Sequence, residues 1–201
     1  MSLIIKNKIA QLKKGYPTVS DKYNVQGGVF TGEKLLFGDI LKTTGVTGHY
    51  DIATATTDKI AGICLATNVK LANRYPGDSN AKVETLNGEA FNLLVRGFVA
   101  VAVYDADVVE AQEAYDEAVE AYKQEKSKAN KEAMDEALAD LNTAKDDAIA
   151  KCAELAPVNV VVADDKLAFT ADEGTAVAGA YFMGVAEFVD GELLAEINYK
   201  M

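Results

Sequence analysis

Apolar and polar positions follow two different periods along this chain. Between Asp105 and Ala156 the apolar ones recur in steps of three and four: Val108, Ala111, Tyr115, Ala118 and Tyr122, then Met134, Ala137, Leu138, Leu141, Ala144, Ala148, Ile149, Cys152 and Leu155. Such spacing gathers each run on one face of an α-helix. The polar tetrad Ser127-Lys128-Ala129-Asn130 separates the runs, and so short a link makes the pair an antiparallel hairpin. Asp107 with Glu110 reads as an acidic capping box opening the first helix, and Pro157 closes the second. No glycine or proline interrupts 105–156, whereas the rest of the chain holds all 15 glycines and all 3 prolines. Arms of roughly 20–25 residues reach ~30–38 Å, as long as a small domain is wide. The hairpin is therefore expected to project or to lie along a neighbour. Its alanine-rich stripe lets the helices approach closely but buries little area, so it leans on its own body or on symmetry mates.

On both sides of the hairpin the pattern shortens to strand-like runs. Leu3 to Lys6, Val29-Phe30, Leu35 to Leu41, Ile60 to Thr67 and Ala90 to Tyr104 precede it; Val158 to Val162, Lys166 to Phe169, Tyr181 to Phe188 and Leu193 to Tyr199 follow. Phe91, Leu93 and Val95 alternate, as do Val99, Val101 and Val103, with Gly97 between them as a bend. Gly38-Asp39 signals a turn or bulge, and Asp190-Gly191 a hairpin turn. The fold class expected is mainly β, a compact antiparallel β-barrel or sandwich with the helical hairpin inserted into one connection. This organises the chain as a discontinuous β domain, 1–104 plus 157–201, with 1–22 as an N-terminal strand and arm, and the hairpin as 105–156.

Charge sharpens the division. The hairpin carries 15 Asp and Glu against 6 Lys, so −9 of the chain's net −11 lies there. The acids form a solvated helix face or an acidic recognition surface. That balance argues against a nucleic-acid partner, whose phosphates require a basic face. The apolar run at the N-terminus is too short for a signal peptide and no stretch is long enough to span a bilayer, so synthesis as a soluble cytoplasmic chain is expected.

Candidate chemistry is sparse. His49 is the single histidine and has no second histidine for a metal pair, Cys64 and Cys152 lack metal-ligand spacing and read as buried thiols, and Gly45-Val46-Thr47-Gly48 lacks the lysine of a phosphate loop. Asp164-Asp165 and Asp172-Glu173 are carboxylate pairs of the kind used in glycoside hydrolysis, but they fall in polar loops where a solvated turn is the simpler account. No cofactor, no metal and no catalytic residue is expected.

The opening phrase Leu3-Ile4-Ile5-Lys6-Asn7-Lys8-Ile9-Ala10 is followed by Leu36-Phe37-Gly38-Asp39 and by Ile60-Ala61-Gly62-Ile63 running into Ala66-Thr67-Asn68. Leu93 to Val103 around Arg96-Gly97 comes next, then Gly184-Val185-Ala186-Glu187 with Glu196-Ile197. In content and order these resemble the structural cement, or capsid decoration, proteins of tailed bacteriophages. The resemblance covers the β portion, about three quarters of the chain, and the hairpin departs from it.

The resemblance implies a non-enzymatic virion protein on the outer capsid surface, with the major capsid protein as partner, arranged as a homotrimer and bridging neighbouring coat subunits. The coat contacts expected on that reading are Leu3, Ile4, Ile5, Lys6, Asn7, Lys8, Lys13, Lys14, Phe37, Gly38 and Asp39. Val108, Ala111, Tyr115, Ala118, Tyr122, Met134, Leu138 and Leu141 are expected to pack within the hairpin or between copies. Two other readings stay open: a head-fibre base or host-surface module that contacts its ligand through the hairpin, and a glycan-acting enzyme using an Asp or Glu pair.

Overall fold

The computed structural model describes residues 12–18, 24–65 and 85–200. Seven strands precede the helices: β1 (Asn24–Phe30), β2 (Lys34–Leu35), β3 (Ile40–Thr43), β4 (His49–Ile52), β5 (Ile60–Leu65), β6 (Thr85–Leu86) and β7 (Ala90–Ala102). Helices α1 (Ala106–Gln124) and α2 (Lys128–Lys151) come next, then β8 (Pro157–Ala163), β9 (Lys166–Thr170), β10 (Thr175–Val189) and β11 (Glu192–Lys200).

Of the two β architectures expected, the barrel forms. Strands run β1-β4-β3-β5-β7, and pairing of β1 with β7 closes this set of five. The ladders are antiparallel except between β1 and β4, where Val29 faces His49 in parallel register. Strand β7, at 13 residues, is long enough to serve twice. Its first half pairs with β1 and β5, and from Arg96 to Ala102 it pairs with β11. Gly97 sits at the hand-over with φ 143, a conformation that glycine reaches without a Cβ clash, so the bend expected there is present. The sheet continues β11-β10-β8-β9 and curls back on itself. Val103 bridges Phe169, and the Tyr104 N–H donates to the Phe169 carbonyl at 2.7 Å.

Two tight turns set the register of this second half. Asp190 and Gly191 join β10 to β11 with φ 51 and 86, and Asp164 and Asp165 join β8 to β9 with φ 49 and 60. Two successive positive φ values are the mark of the two-residue hairpin turn that matches strand twist.

The largest core is built from this half and from one side of the first barrel. It takes in Val99, Val101, Val158, Phe169, Phe182 and Ile197, and from the barrel Ile63 and Leu94. A second core holds Phe30, Leu41, Cys64, Phe91 and Leu93, so adjacent residues of β5 and of β7 serve opposite faces.

The helices connect β7 to β8 and pack on each other as an antiparallel pair. Two boundaries differ from the sequence reading. Asp105 rather than Asp107 caps α1, its carboxylate accepting from the Val108 N–H at 3.1 Å. Ser127-Lys128-Ala129-Asn130 is not the link but the cap and first turn of α2. Ser127 accepts from the Asn130 N–H, and the Asn130 side chain donates to the Ala121 and Glu125 carbonyls, which also accept from the Glu125 and Ser127 amides at the end of α1. Ser127 thereby satisfies a first-turn amide that has no partner in its own helix, while the Asn130 side chain ties the start of α2 to the end of α1.

Candidate functional site

The residues expected to touch a partner separate into three groups. Leu3, Ile4, Ile5, Lys6, Asn7 and Lys8 lie outside the described residues. The described part of the arm, Leu12 to Thr18, is laid on the body as an extra strand beside β7. Gly15 donates to Ala100 at 2.8 Å, Ala100 donates back to Tyr16 at 3.1 Å, and Thr18 donates to Phe98 at 3.2 Å. Leu12 is buried with Ala100 and Leu194, and its amide donates to the Glu187 carboxylate. Lys14 is already matched, its Nζ 2.7 Å from Glu192, while Lys13 is exposed with its ammonium 6.0 Å from the Tyr16 ring centre.

The Phe37-Gly38-Asp39 turn, expected to touch the coat, is packed against the body, with Phe37 half-buried and Gly38 and Asp39 buried. Phe37 packs on the second core and Gly38 is buried under Lys14. Asp39, its side chain 4% exposed, accepts from the Leu36 N–H at 2.8 Å and pairs with Lys166 at 3.0 Å. A short carboxylate that closes its own turn and meets an internal cation is held for structural reasons. The arm packs on this turn so closely that a Cβ on Gly15 would stand 2.6 Å from the Phe37 Cβ.

The third group is the rod. In α1 no residue is buried, and in α2 only Leu141 and Ala148 are. Val108, Ala111, Tyr115, Ala118, Tyr122 and Met134 form a half-buried seam. Leu138 is 39% exposed, and its neighbour Ala137 takes the seam position. The root is different. Ala148 and Cys152 are buried in the main core, with Val108 and Ile149 packed against it. Lys151 then clasps three carboxylates: Asp105 at 2.9 Å, Asp107 at 2.9 Å and Asp172 at 2.8 Å. These come from the cap of α1, its first turn and the β9–β10 loop, so one ammonium joins both helices to the body. Partial burial alone would lower the Lys151 pKa, but the hydrogen bonds that its ammonium donates to the three carboxylates outweigh it and hold the pKa above the ordinary lysine value.

Beside the root lies an open crevice of about 310 Å³ between α1 and the β10–β11 turn. Its floor is apolar, with Val108, Phe169 and Leu193, and its rim charges answer one another as the pairs Lys14–Glu192 and Lys166–Asp39. Cys64 and Cys152 are buried thiols in separate cores. Burial, with the Asp105 and Asp172 carboxylates nearby, pushes Cys152 up to about 12. Among the described residues no three histidine, cysteine or acidic side chains are grouped to hold a metal ion, and no helix is long and apolar enough to cross a membrane.

The Lys151 clasp was not anticipated, whereas support of the rod by its own body was one of the two expectations and Cys152 is the buried thiol expected. The signal available was faint: Asp105 and Asp107 at the start of one helix and Lys151 at the end of its antiparallel partner, with Asp172 brought in only by the fold. No protein-family model matches this chain, and no curated protein matches it.

Proposed function

We propose that this chain is a non-enzymatic virion structural protein that binds the outside of an assembled phage head and cements neighbouring coat subunits. The observation that carries the reading is the contrast between rod and root. A helical pair with almost no burial of its own is fixed at its base by a three-carboxylate clasp and by core residues. Such a rod is stiffly held, acidic and solvent-facing, which suits a surface display element and leaves the β body to do the gripping. The resemblance of the β phrases, in content and order, to those of decoration proteins supports the same assignment.

The mechanism is distributed. Arm and body add contacts that exist only on the assembled shell, so each bound copy stabilises that state by linkage. Copies form a homotrimer with the major capsid protein beneath them, and the rods point away from the lattice. Purified protein is expected to co-sediment with empty heads of the virus that encodes it, and protein left wholly in the supernatant would count against the assignment.

A host-surface role for the rod is the second reading, favoured by its exposed acidic faces. Binding of cell envelopes by the full chain, lost when the distal rod is removed, would select it.

A further inference from the structure

Charge is not spread evenly along the rod. Four of the hairpin's six lysines, Lys123, Lys126, Lys128 and Lys131, fall within residues 123–131, where Glu125 is the single acid. This is the end farthest from the body, since α1 finishes at Gln124 and α2 starts at Lys128. Between that tip and the root, from Asp107 to Glu120 and from Glu132 to Asp147, every charged side chain except Lys145 is a carboxylate. The rod is an acidic shaft with a basic end. Helix α1 alone carries the tip about 28 Å from the root, whereas charges are screened over ~8 Å at physiological salt. A surface met end-on therefore feels the tip and not the shaft.

Three features separate this tip from an ordinary solvated helix end. Lys126 and Lys131 form no ion pair among the described residues, and the pairs Lys123–Glu120 and Lys128–Glu132 are exposed, with Lys128 90% so. Exposed pairs of this kind hold a lysine only weakly. Next, α1 opens with Asp107 in its first turn, but the first turn of α2 has no acid; Lys128 opens that helix and Lys131 follows one turn on. Cations at the positive end of a helix dipole cost stability, and a local rule broken in this way marks use. Last, the base is rigid, because the Asn130 side chain bonds the Ala121 and Glu125 carbonyls and Ser127 caps α2.

We infer that the tip is the contact of this rod with a negatively charged polymer of the cell surface. The inference rests on the host-surface reading above and moves the contact from the acidic faces to the tip. Lysine ammoniums are point charges with rotatable donors, suited to charge repeated along a flexible chain rather than to one shaped anion. A bilayer matches less well: interfacial contacts seat aromatic or aliphatic side chains, and none of the large apolar side chains exposed among the described residues lies within 122–131. The shaft repels the same polymer, so attraction is confined to end-on approach.

The test measures binding of the full chain to long-chain polyphosphate, to vesicles of anionic phospholipid and to envelopes of the host cell. It compares wild type, the tip variant Lys126→Gln with Lys128→Gln and Lys131→Gln, and the body control Lys59→Gln with Lys200→Gln. The inference expects wild type to bind polyphosphate and envelopes, about tenfold or more weakly once salt rises from about 50 to 200 mM. It expects the tip variant to lose about tenfold or more on both, the control to stay near wild type, and the tip variant to melt no lower than wild type. Equal loss in variant and control overturns the inference, as does binding to vesicles as tight as to polyphosphate. Self-association of wild type that the tip variant lacks, without polyphosphate binding, overturns it in favour of a second copy's acidic shaft. Envelope binding that survives in the tip variant overturns the tip and leaves the host-surface reading standing. Failure of wild type to bind envelopes overturns both.

Discussion

The ammonium of Lys151 lies 2.9 Å from the carboxylate of Asp105, tying the last turn of α2 to the residue that caps the first turn of α1. Because Asp172 shares that ammonium at 2.8 Å, the tie reaches the β9–β10 loop, and the hairpin leaves the body as a fixed rod. Asp105 is 4% exposed on its side chain, and its carboxylate accepts from this cation and from the Val108 N–H.

Replacing Lys151 by Met strands that carboxylate. Breaking a buried pair costs up to several kcal/mol, but Lys151 is 28% exposed and Asp105 keeps its capping bond, so a loss of roughly 1–3 kcal/mol is expected. Asp107→Asn removes a partner that is 72% exposed and is expected to cost well under ~1 kcal/mol. Denaturant melts of the two variants check this, and an equal loss in both would argue against the clasp as described.

Stability should fall on the alkaline side. Burial raises Cys152 from 9.0 to about 12 and Tyr199 from 10.0 to about 12, and the three carboxylates hold Lys151 above 10.5. For each group the folded pKa exceeds the unfolded one, so its contribution is intact below the unfolded value and drains away as pH climbs through the folded value. Unfolding free energy measured from pH 8 to 12 is expected to decline from about pH 9, and Cys152→Ala should flatten the first part of that decline. A flat profile to pH 11 would contradict it.

Asp39 offers a test of structure against contact. Asp39→Ala removes both the acceptor for the Leu36 N–H and the partner of Lys166, a loss of roughly 2–3 kcal/mol. Asp39→Asn keeps an acceptor in place and should lose about half as much. Neither change should weaken sedimentation with heads at a temperature where the variant is folded. Reduced binding by a folded Asp39 variant would return this turn to the contact surface.

Length of the rod and integrity of the body should be separable only above the root. Removing 116–137 and closing the gap with a short glycine-containing turn leaves Ala148, Cys152 and the clasp intact, so the melting temperature should stay within a few degrees of wild type. Joining Tyr104 directly to Val158 strips Ala148 and Cys152 from the core and should give a protein that binds a hydrophobic dye or fails to fold. Equal stability of both deletions would mean that the root contributes nothing.

Much of this anatomy was legible because periodicity reports burial. Steps of three and four from Val108 to Ala148 announced the helices, alternation around Gly97 announced β7, and Asp190-Gly191 announced the last turn. The β8–β9 turn was less visible because two aspartates, not glycine, hold its positive φ values. Strand β4, four residues opened by the lone histidine, carries too short a pattern to register. The burial of the Phe37–Asp39 turn was hidden for a different reason. Phe-Gly-Asp looks like an exposed turn in one dimension, and only the fold brings Lys166 and the arm against it.

The most direct measurement of the proposed function is the temperature at which heads rupture, followed by release of their contents, for shells stripped of this protein and for the same shells after its re-addition. Cementing predicts a higher rupture temperature on re-addition, rising with occupancy until the sites are filled. An identical rupture temperature with and without bound protein would contradict it.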